Sequence, residues 1–277
     1  MDINNQKCEG CEEEFYKKLI EGNRGCYYFC PNCNLVTSYP KPKKNQIEKY
    51  YKDFLHNSYG RKVKHKYFKE KSIYDTKKIY KDIESNYSLK PENNIKLLDL
   101  GGGTGYYSYG FSKLGFDVTL IDISNDSCDY AKEKFGNFKV INADPSKLNI
   151  KEKFDIIFCN QVIEHSENPN VFLKCAKKFM HKKSLLILTT PNQKTKEYFF
   201  RFEILFNYLK KAKGNKLIKI MKFIKMPWCF CDPPRHFFSF SKKNLKIILK
   251  NNGLKIEKIF TEYSTDKIYV FGRIEFN

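Results

Sequence analysis

Long apolar runs are missing from this sequence. No stretch of its 277 residues approaches the ~18 consecutive apolar residues of a membrane-spanning helix. The opening MDINNQKCEG lacks the apolar core of a secretory signal. The expectation is therefore a cytoplasmic protein in a reducing compartment, whose ten cysteines serve as metal ligands and buried thiols rather than disulfides. Arginine is scarce: Arg24, Arg61, Arg201, Arg235 and Arg273 are the only five among 51 basic side chains. The net charge of +20 invites a polyanionic partner. Yet lysine is a point charge, and arginine is the residue suited to bidentate phosphate and guanine contacts. A surplus made almost wholly of lysine reads as compositional, so nucleic acid is the less favoured partner. Glycine is sparse, 14 in all, and no internal repeat is visible, which excludes fibrous and solenoid classes. With 41% hydrophobic and 30% charged residues, the chain reads as one large α/β domain with a small appendage.

What is present is a rhythm. From Ile95 onward, apolar runs alternate with amphipathic segments. IKLLDL, DVTLIDI, FKVINAD, FDIIFCN and SLLILTTPN read as strands, and YYSYGFSKLG, SNDSCDYAKEKFG and NPNVFLKCAKKFM as helices. That alternation predicts a doubly wound, mostly parallel sheet with helices on both faces. After Asn192 the rhythm breaks, then resumes with the helix SKKNLKIILKNNG and two closing strands, LKIEKIFTEY and DKIYVFGRI. The division expected is a head over residues 1–45, a helical linker or cover over 46–94, and a main domain over 95–277 interrupted by an insertion at 194–235.

The first strand runs into four of the chain's glycines within five positions, Gly101, Gly102, Gly103 and Gly105. Such a turn lets backbone press against a ligand and leaves helix N-terminal amides to meet it. A dinucleotide fingerprint needs its third glycine three places after the second, where this chain has Tyr106. The pattern here is Asp99-x-Gly101-x-Gly103-x-Gly105. Asp122 closes the second strand, where a carboxylate can accept from both hydroxyls of a ribose. Asp144 stands at the next strand tip and Asn160 at the one after. Asp122 and Asp144 could equally cap the helices that follow them.

The segment from Ile95 to Asn192 resembles the core of class I S-adenosylmethionine-dependent methyltransferases, in the small-molecule branch that includes the ubiquinone-type O-methyltransferases. LLDLGGGTG, LIDIS, NADPSKL, FDIIFCNQVIEHSENP and LLILTTPN follow in the family's order. The resemblance implies a seven-stranded Rossmann-like sheet with S-adenosylmethionine as cofactor. It implies that Asp99, Gly101, Gly103 and Gly105 hold the methionine end and that Asp122 holds the ribose. Ile123 would pack on adenine, Asp144 or its neighbour Ala143 would meet the adenine amino group, and Asn160 would close the site.

In the head, Cys8, Cys11, Cys30 and Cys33 form two C-x2-C knuckles 18 residues apart. Two such knuckles complete a tetrahedral zinc shell with no open position, hence a structural ribbon. Cys26 is a spare. The resemblance alone leaves the acceptor open, since ribbons precede both small-molecule and RNA methyltransferases.

An oxygen acceptor must lose its proton, a task for a group near neutral pKa. His165 in IEHSENP and His236 in DPPRHFFSF are the candidate bases, with Glu164 a third. Alternatively, His165 orients its loop and His236 packs under the insertion. The place after the fourth strand reads NQVIEH rather than the Pro-Pro turn of amino-methylating enzymes, so DPPR at Asp232 is a decoy. Cys159, flanked by apolar residues, is expected to be buried. The insertion reads as a lid whose Phe199, Phe200, Phe202, Leu205, Phe206 and Leu209 cover the acceptor, with contact to an anionic membrane surface or plain core packing as alternatives. The expected activity is methyl transfer to a small-molecule or glycan-precursor acceptor at oxygen. The alternatives are an RNA-modifying methyltransferase and an inactive binding subunit. The oligomeric state is open.

Overall fold

A computed structural model of the chain describes residues 6–13, 17–22, 25–43, 45–46, 62–149, 151–193, 236–262 and 267–275. The head carries three antiparallel strands, β1 (Lys17–Gly22), β2 (Gly25–Phe29) and β3 (Val36–Tyr39). Helix α1 (Lys62–Tyr87) follows. Then β4 (Lys96–Leu100), α2 (Tyr106–Lys113), β5 (Asp117–Asp122), α3 (Asn125–Lys134), β6 (Lys139–Asn142), β7 (Phe154–Asn160), α4 (Pro169–Lys178) and β8 (Met180–Pro191) alternate as the apolar rhythm requires. The described chain closes with β9 (Phe238–Ser239), α5 (Lys242–Asn251), β10 (Leu254–Glu262) and β11 (Lys267–Ile274).

Seven strands form one sheet in the order β10-β11-β8-β7-β4-β5-β6, with β11 antiparallel to both neighbours and the rest parallel. Successive side chains of a strand face opposite ways, and both faces are covered. Leu97 joins Ile79 and Ile83 of α1 and Phe111 of α2. Its neighbour Leu98 joins Leu173 of α4 and Ile248 of α5. Within the stretch 46–94, α1 packs on the sheet through Ile79 and Ile83, and residues 47–61 lie outside the described residues. Helix starts follow local chemistry. Ser124 caps α3, Asn168 caps α4 ahead of Pro169, and Ser241 with Asn244 forms a capping box on α5.

The head shares the core of the main domain. Its Cys8, Cys30, Cys33 and Leu35 are fully buried together with Leu245, Ile248 and Leu249 of α5. Its sheet takes a fourth strand, β9, from the far side of the insertion. Thr37 and Ser38 of β3 both donate to the Phe237 carbonyl, Ser38 through its backbone amide at 3.0 Å. The residues flanking 194–235 meet side by side, with Gln193 N donating to Phe240 O at 2.6 Å. The insertion itself, including all six expected lid residues and Asp232, lies outside the described residues. No described helix is long and apolar enough to cross a membrane.

Candidate active site

Parallel strands β4, β5, β6 and β7 end at one edge, where an open α/β sheet binds its ligand. Asp99 sits one residue inside that edge, 1% exposed. Its Oδ2 accepts from Ser108 Oγ at 2.6 Å. Burial pushes its carboxyl up to about 7, opposed by the Ser108 hydrogen bond. Gly101 then turns the chain, with its N–H donating to Ile121 O at 2.8 Å. Gly103 (φ 53°) and Gly105 (φ 79°) lie in the left-handed region, which disfavours any side chain there. They do so for different reasons. A Cβ on Gly105 would strike Phe138 at 2.9 Å and Ala131 at 3.0 Å, whereas one on Gly103 would meet no described atom within 4 Å. Gly105 is bare for packing, and Gly103 is bare towards open space.

Asp122 ties this turn to the next strand. Its Oδ2 accepts from Gly103 N and its Oδ1 from Ser124 N, both at 2.8 Å. The α3 cap is Ser124 itself, so Asp122 bridges two loops instead of capping. Burial raises its carboxyl, and the Ser124 and Gly103 amides pull the other way. Ile123 beside it is 67% exposed. Ala143 N donates to Asp122 O at 3.0 Å, which lashes the β6 tip to the β5 tip. Asp144 Oδ1 accepts from Ser146 N at 3.0 Å and Ser146 Oγ at 2.7 Å, closing the turn that follows. Asn160 Oδ1 accepts from Thr189 Oγ1 at 2.7 Å.

Directly after Asn160, Gln161 takes φ 56°, a costly value for a non-glycine residue. It throws the chain into a tight turn, Ile163–His165. That turn buries Glu164 to 1% exposure. Thr190 Oγ1 donates to Glu164 Oε2 at 3.0 Å. His236, also 1% exposed, arrives from the other side of the insertion, its ring 4.8 Å from that of His165. The arrival is fixed by backbone, since Phe237 N donates to Glu164 O at 2.8 Å while Phe237 O is held by β3. The three expected acceptor-side residues thus come together. Cys159 is fully buried, which pushes its thiol well up, as its apolar flanks imply.

The four head thiols also converge. Cys8 Sγ lies 3.6 Å from Cys33 Sγ, and Cys11 Sγ lies 3.5 Å from Cys30 Sγ. All four sulfurs lie within 4.8 Å of one another, and Cys26 is outside the group.

Sequence reasoning passed over Ser108, Thr190, Gln161 and a cluster on the outer side of the glycine turn. There His65 Nδ1 lies 2.8 Å from Tyr106 OH and 2.9 Å from Tyr130 OH. Tyr106, where a dinucleotide fold has glycine, binds α1 to the turn. A serine one helical turn away and a threonine one strand away carry no signal of their own until their partners, Asp99 and Glu164, are placed beside them.

The strand order with its one antiparallel member, together with the acid-and-glycine turn, defines a class I S-adenosylmethionine-dependent methyltransferase. Residues 67–259, well over half the chain, match the model of a family described as a methyltransferase domain, and the chain belongs to that family. It is 30% identical over 185 residues to a ubiquinone biosynthesis O-methyltransferase of Pelagibacter ubique, covering 65% of this chain and 73% of that protein. A ubiquinone biosynthesis O-methyltransferase of Bartonella tribocorum is 27% identical over 189 residues, with 65% and 71% covered. Among solved structures, the fold resembles magnesium protoporphyrin IX methyltransferase from Synechocystis with bound SAH, with a TM-score of 0.54 at 15% identity, covering 82% of this chain and 100% of that one. The protein is an enzyme, and its cofactor is S-adenosylmethionine.

Proposed function

We propose that this enzyme transfers the S-adenosylmethionine methyl group to an oxygen of a small-molecule acceptor. The observation that carries the reading is Asp122, a largely buried carboxylate fixed by the Gly103 and Ser124 amides at 2.8 Å each, next to a glycine whose missing Cβ leaves open space. Two backbone amides occupy one lone pair on each oxygen, and a carboxylate has about four acceptor sites. The remaining ones suit a ribose diol. The cofactor supplies an activated methyl on a sulfonium. Asp99 and the turn at Gly101, Gly103 and Gly105 hold its methionine end, Ile123 and the β6 tip at Ala143 and Asp144 border its adenine, and Asn160 closes the crevice. Asp99, held near neutrality by burial, gains from a cationic amine placed beside it.

On the acceptor side, Glu164, His165 and His236 form the polar cluster at which a hydroxyl would lose its proton. The names of the relatives, O-methyltransferases of ubiquinone biosynthesis, support oxygen as the target and a ring-shaped acceptor. The Cys8, Cys11, Cys30 and Cys33 thiols suit zinc. Tetrahedral bonds of ~2.3 Å place sulfurs roughly 3.8 Å apart, close to the spacings found. Burial and the Cys8 thiol push Cys30 up to about 11, so that thiol needs a cation beside it to ionise near neutral pH. Zinc there is structural, and residues 1–45 act as a clamp on the main domain. Cytoplasmic location fits this reduced, metal-binding head.

The test is incubation with methyl-labelled cofactor and fractionated cell extract. Label in the soluble small-molecule pool, in an alkali-stable ether, is expected; label in RNA would overturn the acceptor class. Asp122→Ala should weaken cofactor binding roughly 30-fold or more, as expected for hydrogen bonds to a charged group. Unchanged calorimetric affinity would remove the site.

A further inference from the structure

A lysine stands at the ligand edge of the sheet with no carboxylate of its own. Lys267 opens β11 opposite Pro191, the last residue of β8. We propose that Lys267 binds an anionic group of the acceptor, a carboxylate or a phosphate, and so selects the acceptor and aims it at the methyl donor. This rests on the O-methyltransferase reading above and narrows its substrate class.

Position is the first support. Tyr269, Thr189 and Asn160 are register partners across β11, β8 and β7, and Thr189 Oγ1 donates to Asn160 Oδ1 at 2.7 Å. Lys267 lies two residues further out than Tyr269, hence on the same face of the sheet and beyond that row. Strands ~4.8 Å apart set it roughly 10 Å along the edge from Asn160, a span that one ring with its substituents fills. The face is the one under α1 and α2, since Tyr269 shares a buried cluster with Ile79 and Phe111.

Charge is the second support. Asp75, Glu164 and Glu262 all act on the Lys267 ammonium, and other groups already hold each of them. Asp75 Oδ2 accepts from Lys71 Nζ and from Tyr107 OH, both at 2.9 Å. Glu262, the register partner of Lys267 on β10, is paired with Lys78 and accepts from Tyr269 OH at 3.4 Å. Glu164 accepts from Thr190. Lys267 itself makes no side-chain hydrogen bond or ion pair with a described residue. Burial holds its ammonium below the usual lysine range against the pull of Asp75, and Lys71 adds to the effect. Burial also pushes the Tyr107 and Tyr269 hydroxyls up, so both stay neutral and neither supplies a phenolate. An ammonium removed from water without a bonded partner is unfavourable, and an anion that accepts its N–H groups relieves that cost.

The consequence for the reaction is orientation. An acceptor held by its anion at Lys267 has one end fixed, so its hydroxyl is presented towards the Asn160 side of the crevice in a restricted set of poses. Lysine offers three N–H donors around a point charge, which serve carboxylate and phosphate alike. Lys267 selects and positions, and no proton or methyl group passes through it.

The test uses the full chain saturated with S-adenosylhomocysteine and three probes, benzoate, phenyl phosphate and phenol. In isothermal titration at least one of the two anions should bind about 10- to 100-fold tighter than phenol, as charge-assisted hydrogen bonds give. The tighter anion names the class. Lys267→Gln should abolish the preference and Lys267→Arg should keep it, with affinity for S-adenosylhomocysteine unchanged in both. Acylation of wild-type lysines, mapped by mass spectrometry, needs no variant to fold: the preferred anion should protect Lys267, and phenol should not. Neither anion binding at millimolar concentration, anions no tighter than phenol, a preference that survives in Lys267→Gln, or no protection of Lys267 would each overturn the proposal. Binding of S-adenosylhomocysteine would leave the transferase reading standing in all four cases. Failure of the wild-type chain to bind it would remove both.

Discussion

The two sides of the crevice are built in opposite ways. The cofactor side is local. Asp99, the glycine turn and Asp122 come from 24 consecutive residues (99–122) and are joined by backbone amides. The acceptor side is assembled. Glu164 and His165 leave the sheet at the end of β7, His236 returns some seventy residues later, and a strand of the cysteine head pins that return. Backbone contacts are indifferent to side-chain change and suit a ligand that never varies. An assembled cluster of side chains can be retuned by altering one segment, which suits an acceptor that does vary.

The comparison predicts that the two sides can be broken separately. The largest effect is expected from Cys30→Ser. Loss of the proposed zinc would remove a folding contribution of roughly 10 kcal/mol from its module, so the head should unravel and release the His236 segment. Methyl transfer should fall at least 100-fold, while calorimetric affinity for S-adenosylmethionine stays within a few-fold. An equal loss of cofactor affinity would show that the two sides are one unit. A medium effect sharpens the account of the cofactor side. Gly103→Ala carries a left-handed backbone cost of ~1–2 kcal/mol and places its methyl in open space. It should remain folded and lose cofactor affinity by tenfold or more. Gly105→Ala, whose methyl would meet Phe138 at 2.9 Å, should lose stability by a further ~1–3 kcal/mol from overpacking. Differential scanning calorimetry beside isothermal titration separates the two.

The smallest effect is a pH dependence. Asp99 is raised to about 7 by burial, and in the unfolded chain it ionises near ~4. Between these values the folded protein keeps a proton that the unfolded chain has lost, so this group's contribution to stability declines as pH rises from ~4 to about 7, then levels off. Asp99→Asn has no such proton. The melting temperature of the wild type relative to the variant should therefore fall between pH 5 and pH 8 in the absence of cofactor. A constant difference would mean that Asp99 is ionised throughout.

Much of the main sheet is legible in the sequence. The inner strands β4, β5, β7 and β8 coincide with apolar runs, because a strand buried on both faces must be apolar along its length, whereas the edge strands β6 and β10 are only partly buried and mix apolar with charged residues. The strand tips were legible for the same reason, since a charged residue that ends such a run, as Asp122 does, has nowhere to lie but the edge. Ser108 and Thr190 were not, because a hydroxyl becomes informative only when its partner is known. The capping alternative does not fit Asp122, whose neighbour Ser124 caps α3, and Asp144 holds Ser146 to close a turn, with no helix among the described residues before β7. Residue identity could not separate those two outcomes, since both aspartates follow a strand and precede a turn.

By itself the sequence determined the strand and helix order, the bare backbone at residues 101–105 and the pairing of cysteines into knuckles, because period, φ preference and ligand spacing are properties of a few neighbouring residues. Only the tertiary structure decided that the head is packed into the main domain through α5 and β9, and that Glu164, His165 and His236 share one point in space. Those outcomes depend on contacts between segments tens to hundreds of residues apart, and no local pattern encodes the side of the sheet on which a returning strand will dock.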